Sequence, residues 1–316
     1  MKNTIICFFL LLLSSVNAQT KIAGSYHVSS GNPDDGGYNW VLMENHEFAM
    51  FTFGQIIAGK WEINQQNVIT FSPNIPKYPF DVYGRYDPKV KGTKVMFSNF
   101  DSNEDAFIGN SEAGIQPVLS QDANCLPYPL VNEFKDKFKD IILSTPLYHE
   151  EKESSCKADF QKYNDFIITY YSSSRRVPPF KAEFKDGRLY FNNAQKASSE
   201  RKDLKSDELT EIGMYVSQGA SEVSKETIVA NKVYNVISYG IGESQEKFDE
   251  ESFLKFNYNY DPSTEIYTAK NKYKAAKGDE FHDLNILYQY HKIELKPNEK
   301  SYKKSDKSIF NITCKN

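Results

Sequence analysis

Apolar and polar side chains alternate along most of this chain, in runs of about four to eight residues separated by polar turns. From Ile22 to about Leu119 the runs read KIAGSYHV, YNWVLM, FAMFTF, KWEIN, NVITFS, PFDVYG, TKVMFS, DAFIGN and IQPVLS. In KWEIN, Trp61 and Ile63 fall on one face and Lys60 and Glu62 on the other, the period of a half-buried strand. Short polar turns such as Glu44-Asn45-His46-Glu47 join the runs. Consecutive strands connected this way pair with one another, so an antiparallel meander that closes into a sandwich or barrel is expected.

The second half continues the pattern. In PFKAEFKDGRLYFNN, Phe180, Ala182 and Phe184 alternate with Lys181, Glu183 and Lys185, and Leu189 and Phe191 alternate on the return. Asp186-Gly187 between them predicts a two-residue hairpin, because a type I′ turn needs positive φ at both positions. FLKFNYNYDPSTEIYTAKNKY reads as a second hairpin with Phe256, Tyr258 and Tyr260 on one face, and LNILYQYHKIEL as a late strand. After QDANCLPYPLVNEF two readings stay open: Phe134, Phe138, Ile141 and Ile142 suit a helical face, and KDIILST suits a strand equally. NAQKASSERKDLKSDELTEI, charged and poor in apolar residues, reads as a solvated loop or short exposed helix. The polar run YHEEKESSCKADFQK reads as the domain boundary. The expectation is a mainly β protein of two antiparallel sandwich or barrel-like domains with little helix, residues 19–145 and 146–316.

Residues 1–18 read differently. Lys2, the apolar stretch IICFFLLLLSSV and the small-residue site Val16-Asn17-Ala18 make a secretory leader cleaved near Ala18. Cys7 lies within the apolar stretch and not at the cleavage point, which argues against lipid attachment. No later run approaches the length of a membrane-spanning helix. A secreted or periplasmic protein without a transmembrane segment is expected.

Composition adds two constraints. Without Lys2 the chain carries 37 Lys+Arg against 42 Asp+Glu. Neither half has the basic field that nucleic acid or an anionic membrane demands, so those partners are disfavoured. Phe (22) and Tyr (21) far outnumber Trp (2), which strengthens the β reading. Three cysteines survive cleavage, and an oxidising compartment allows one pair. Cys125 with Cys156 is the expected disulfide, since both flank the boundary above; Cys314, near the end, can reach several places.

Candidate sites are few. In residues 40–63, WVLMENHEFAMFTFGQIIAGKWEI, the residues Trp40, Phe51, Phe53 and Trp61 could line the mouth of a barrel that binds a small apolar ligand. The plainer reading is a sheet packing its own interior, because a Trp on an alternating strand is ordinarily buried. In DSNEDAFIGNSE, Asp101, Asn103, Asp105 and Glu112 take positions 1, 3, 5 and 12 of a Ca²⁺ loop. Against calcium, Ala106 replaces the turn glycine and the flanks read as strands. No other cofactor is implied. The five histidines have no paired spacing, and His291 reads as a half-buried, satisfied imidazole. No nucleophile motif or nucleotide loop is present; GNSEAG is not G-x-S-x-G. Tyr258, Tyr260, Tyr267, Tyr288 and Tyr290 could stack sugars, although cross-strand packing is the plainer and favoured reading.

Gly59-Lys60-Trp61 resembles the G-x-W fingerprint of lipocalins, which in that family lies on the first strand and here on about the fourth. More broadly, GSYHV, GGYNWVLMENHEFAMF, AGKWEI, NVITF, VYGRYDP and DANC resemble uncharacterised secreted β-rich proteins of Gram-negative bacteria, over about the first 130 residues. That resemblance implies export and a β fold and carries no activity. The function expected is therefore an exported, non-catalytic binding or scaffold protein of the envelope or extracellular space, its ligand a small apolar molecule or a glycan. A glycosidase-like hydrolase with paired carboxylates is the alternative from another class, and a purely structural envelope component is the third.

Overall fold

A computed structural model of the chain describes all residues except 1–21, 32–35, 53–54, 101–105, 147–152, 161, 173–175, 192–196, 207, 211, 214–215, 217–224, 238–249 and 315–316. The leader therefore lies outside the described residues, and what is described is mostly β. In chain order the strands begin with β1 Gly24–Val28, β2 Tyr38–Leu42, β3 Glu47–Thr52, β4 Gln55–Ile63 and β5 Val68–Pro73. Next come β6 Phe80–Arg85, β7 Thr93–Ser98, β8 Phe107–Asn110, β9 Gly114–Pro117 and β10 Leu130–Phe134. β11 Asp140–Pro146, β12 Glu153–Asp159, β13 Asp165–Tyr170, β14 Phe180–Lys185 and β15 Arg188–Phe191 follow. The last are β16 Thr227–Ala230, β17 Tyr258–Asp261, β18 Ile266–Ala269, β19 Ile286–Lys292 and β20 Leu295–Pro297.

Two compact units share these strands, each built from two stretches of chain. The first takes residues up to Ile75 and Val177–Ser224; the second takes Pro76–Arg176 and everything from Lys225. The boundary expected at 145/146 is thus not where the units part. Its polar run contains β12, paired with β11 over Asp140–Pro146, and its polarity is that of a strand with one face outward. Cys156 and Ala158 point into the core, while Lys157 and Asp159 point away.

The first unit is nearly closed and barrel-like. Its sheet runs β1-β2-β3-β4-β5-β14-β15, antiparallel throughout. Residues 197–202 then lie between its two edges. Ser198 and Arg201 donate to the carbonyls of Leu189 and Gly187 on the β15 side, and Ser199 and Lys202 to those of His27 and Ser25 on β1. Closure of this kind leaves no long edge to template aggregation. Asp186 and Gly187 both have positive φ (50° and 71°), the turn the sequence predicts. Inward residues form one aromatic core: Trp40 packs on Phe48, Phe71, Phe180 and Phe191 at ring distances of 4.9–6.1 Å. Gly59 permits this density, since a Cβ there would stand 2.2 Å from the Ser72 carbonyl and 2.9 Å from the Phe48 ring.

The second unit is a sandwich with additions. One sheet runs β10-β7-β13-β6-β19-β18-β17, with β16 also on β19, and contains the parallel pair β7–β13; the other runs β20-β12-β11-β8-β9. Phe80, Val82, Val95, Phe97, Phe166 and Ile168 meet Ile108, Ile141, Leu143 and Cys156 in one core. KDIILST is therefore a strand, β11, and LVNEF is another, β10. The helix Glu250–Asn257 places Leu254 against Tyr258 and Leu287. Phe256 belongs to this helix and not to the following hairpin, which begins at Tyr258, and it is 80 % exposed.

Cys125 pairs with Cys314, their Cα atoms 5.0 Å apart, and Cys156 is free. The expected Cys125–Cys156 pair fails because strand parity turns Cys156 into the sandwich core, where it is fully buried. Burial pushes its thiol up to about 12, so it stays protonated at neutral pH. The disulfide ties down residues 303–314, which run along β9: Ile115 N–H donates to the Lys303 carbonyl, and Ile309 and Phe310 donate to the carbonyls of Pro117 and Val118.

Candidate functional site in the first unit

Most of the barrel's interior is occupied by its own side chains, but the end where β2 turns into β3 holds a pocket of about 610 Å³. Ala23, Gly24, Leu42 and Met43 supply its barrel side, and Leu204, Leu209 and Gly213 the opposite wall. Charged groups, Glu44, Glu47, Arg201 and Asp203, stand around it. The volume lies inside the range of about 300–1,000 Å³ typical of small-molecule sites.

Each wall has a local cause. Helical residues between 206 and 216 carry Ile212 and Val216 onto the outer face of β2–β4, against Val41, Met43 and Ala49. Leu209 precedes these on the same helical spacing and is 39 % exposed. Arg201 is held across the start of β1: Nη1 donates to the Ala23 carbonyl at 2.7 Å and Nη2 to Asp203 at 2.5 Å. Gly24 makes this approach feasible, since a Cβ would lie 2.7 Å from Arg201 Cγ. The turn itself is pinned from within. Trp61 Nε1 donates to the Met43 carbonyl at 3.0 Å, and the His46 ring stacks on Trp61 at 4.8 Å.

The sequence candidates are distributed across the barrel wall. Trp40 and Trp61 are buried in one core, where they fill space that an internal ligand would need. Phe51 lies on the other side of the sheet, beside Ala49 and Ala58. Phe53 lies outside the described residues. Strand parity separates Trp40 from Phe51, so these residues do not form one lining.

No family model, curated protein or solved structure matches the chain. The argument for function therefore stands on side-chain geometry. Of the calcium candidates, Asp101, Asn103 and Asp105 lie outside the described residues. Glu112 pairs with Lys139 at 3.0 Å on the surface. Among the described residues no three His, Cys, Asp or Glu side chains gather as a metal-ligand set.

A buried charged cluster in the second unit is the other place where chemistry concentrates. Asp165, 1 % exposed, accepts from Arg85 (2.6 Å), Tyr234 (2.6 Å) and Tyr290 (3.1 Å), and the Arg85 guanidinium lies 4.2 Å from the Tyr288 ring centre. Burial, with the Asp165 charge beside them, drives the Tyr234 and Tyr290 hydroxyls far above the usual tyrosine range. Three donors satisfy the carboxylate, and Arg85 and Tyr290 bring two of them from β6 and β19, so the cluster ties β13 to those strands. Sequence reading missed both places. Arg201, Leu204 and Leu209 sit in a segment of low apolar content, where only the Leu209, Ile212, Val216 spacing signals a helix face. Asp165 looks like any other acid until the strands are paired.

Proposed function

We propose that the protein is an exported, non-catalytic binding protein whose first unit takes a small apolar ligand, uncharged or cationic, into the pocket at the β2–β3 end of the barrel. The observation that carries this reading is the pocket's composition: Met43, Leu204 and Leu209 line one space of small-molecule size at the end of the barrel, with Leu209 39 % exposed beside it. Three carboxylates at the rim oppose one guanidinium that is already committed to Ala23 and Asp203. A ligand with an anionic head is disfavoured by that balance. Export is supported by the leader-like residues 1–18.

Thermal shift with dodecylamine, dodecanol and dodecanoate tests the reading. The amine and the alcohol should raise the melting temperature of the mature chain, since a ligand at 100 times its Kd adds about 2.7 kcal/mol. Leu209→Asp, a change at an exposed position, should abolish the shift. No shift with any of the three, or an equal shift in Leu209→Asp, would overturn the assignment.

A further inference from the structure

We propose a second, independent binding site on the second unit: a platform for a neutral oligosaccharide formed by Tyr260, Tyr267, Gln289, His291 and Glu265. These residues come from three adjacent strands and meet on one face. Tyr260 on the edge strand β17 lies opposite Tyr267 on β18, their ring centres 4.5 Å apart. Tyr267 Oη donates to Gln289 Oε1 at 3.1 Å, Gln289 Nε2 lies 3.5 Å from His291 Nε2, and His291 Nε2 meets Glu265 Oε1 at 2.8 Å. Tyr163 closes the row, its ring nearly parallel to His291 at 6.2 Å.

Cross-strand packing alone accounts for a tyrosine pair, and it leaves two features unexplained. The first is exposure. Tyr260 is 42 % exposed, and the His291 and Glu265 side chains are 29 % and 36 % exposed, so aromatic surface and hydrogen-bonding groups are open together. The second is backbone. Glu265 has φ of 57°, in the left-handed region that costs a non-glycine residue about 1–2 kcal/mol. Glycine or asparagine would serve this turn better. Glutamate there sets its carboxylate 2.8 Å from His291 Nε2, a placement that closing the turn does not itself require.

The ligand class follows from the chemistry. A pyranose offers an apolar C–H face to a tyrosine ring and hydroxyls that both donate and accept, matching an amide, a carboxylate and an imidazole set side by side. Three strands span about 10 Å, the length of about two sugar rings. Asp261 and Glu265 lie at the site, and Glu250 and Glu251 act on Tyr267 electrostatically. Glu250 is paired with Lys225 and Lys162 Nζ lies 5.1 Å from the Tyr163 ring, so the carboxylates of Asp261, Glu265 and Glu251 outweigh one lysine; that balance disfavours sulfated or uronic glycans, which leaves neutral ones.

Isothermal titration of the mature chain with hexasaccharides of glucose (α- and β-linked), xylose, mannose and N-acetylglucosamine, and with an alginate hexamer as the anionic control, tests the site. At least one neutral hexamer should bind, and Tyr260→Ala should weaken it about tenfold or more. Phe256→Ser, on the neighbouring helix, should bind as the parent does. Glu265→Gly should raise the melting temperature while weakening binding, a pairing that a purely structural role does not produce. The proposal is overturned if no neutral hexamer binds, if Tyr260→Ala binds undiminished, or if alginate binds more tightly. Its failure leaves the alkyl-ligand reading untouched, because the two tests use different ligands and different residues.

Discussion

Trp40 in the first unit is surrounded by Phe48, Phe71, Phe180 and Phe191, whereas Asp165 in the second is surrounded by Arg85, Tyr234 and Tyr290. Among the described residues, nine of ten buried polar or charged side chains belong to the second unit, and only Ser198 to the first. The difference follows topology. In the barrel, β1 to β5 pair in sequence order, so alternation and short turns set the register without polar help. In the second unit β13 pairs with β7 in parallel and with β6, and β19 joins from more than 100 residues away. Short turns cannot set that register. A buried carboxylate satisfied in one arrangement only can do so, at some expense in stability.

The sharpest way to break this contrast is to remove each centre. Asp165→Ala leaves Arg85 with only the Asp87 carboxylate beside it and strips the Tyr234 and Tyr290 hydroxyls of their acceptor, and should cost about 3–5 kcal/mol. Trp40→Ala opens a cavity in the barrel and should cost a similar amount, about 3–5 kcal/mol. The repair differs: Arg85→Met on the Asp165→Ala background should recover part of the loss, since it removes a buried guanidinium that Asp87 alone then offsets. Urea titration with peptide-resolved hydrogen exchange reads both, with β6, β13 and β19 opening in the first case and β2–β5 in the second. An Asp165→Ala loss below about 1 kcal/mol would show that the cluster does not hold the sheet.

A smaller effect, about 2–5 kcal/mol, is expected for Cys314→Ser. The barrel closes its edges with backbone hydrogen bonds, while the second unit covers β9 with a strap secured by Cys125–Cys314. Loss of the bond should raise exchange at Ile115 and at Ile309 and Phe310. Both tryptophans lie in the first unit, so the transition seen by their emission should keep its midpoint. A shift there as large as in the second unit would count against the strap as a local device.

How far the sequence could be read tracks the same contrast. The barrel strands, the Asp186-Gly187 turn and the burial of Trp61 all rest on period-two alternation and turn chemistry, which act over a few residues. The unit boundaries were not legible, because Pro76, Val177 and Lys225 mark places where the chain crosses between cores, with no change in pattern. The disulfide is hidden for a related reason: β12 has the composition of a linker, and which way Cys156 faces depends on its pairing with β11. Phe256 reads as a strand residue because Phe256, Tyr258 and Tyr260 also alternate. Leu254 and Leu287 decide that case through a tertiary contact. The pocket escaped notice since half its wall comes from the charged stretch after β15.

The gentlest probe of the contrast is acid. Asp140 in the second unit accepts from Ser111 N–H at 2.8 Å and Ser111 Oγ–H at 2.6 Å, and pairs with Lys157 at 3.0 Å. Burial alone would raise its pKa, but the Ser111 hydrogen bonds and the Lys157 charge together hold it below the usual carboxylate range. A folded-state pKa below the unfolded one means that the contribution is complete above the unfolded value of about 3.9 and is lost as pH falls through the folded one. Asp140→Asn should therefore flatten the acid limb of the second unit's stability curve while leaving its slope near neutrality unchanged. The barrel buries no carboxylate among its described residues, so Glu47→Gln at its mouth should leave tryptophan-detected acid unfolding where it was. If both variants shift their units equally, the polar interior of the second unit is not what makes it acid-sensitive, and the distinction between the two interiors loses its main consequence in solution.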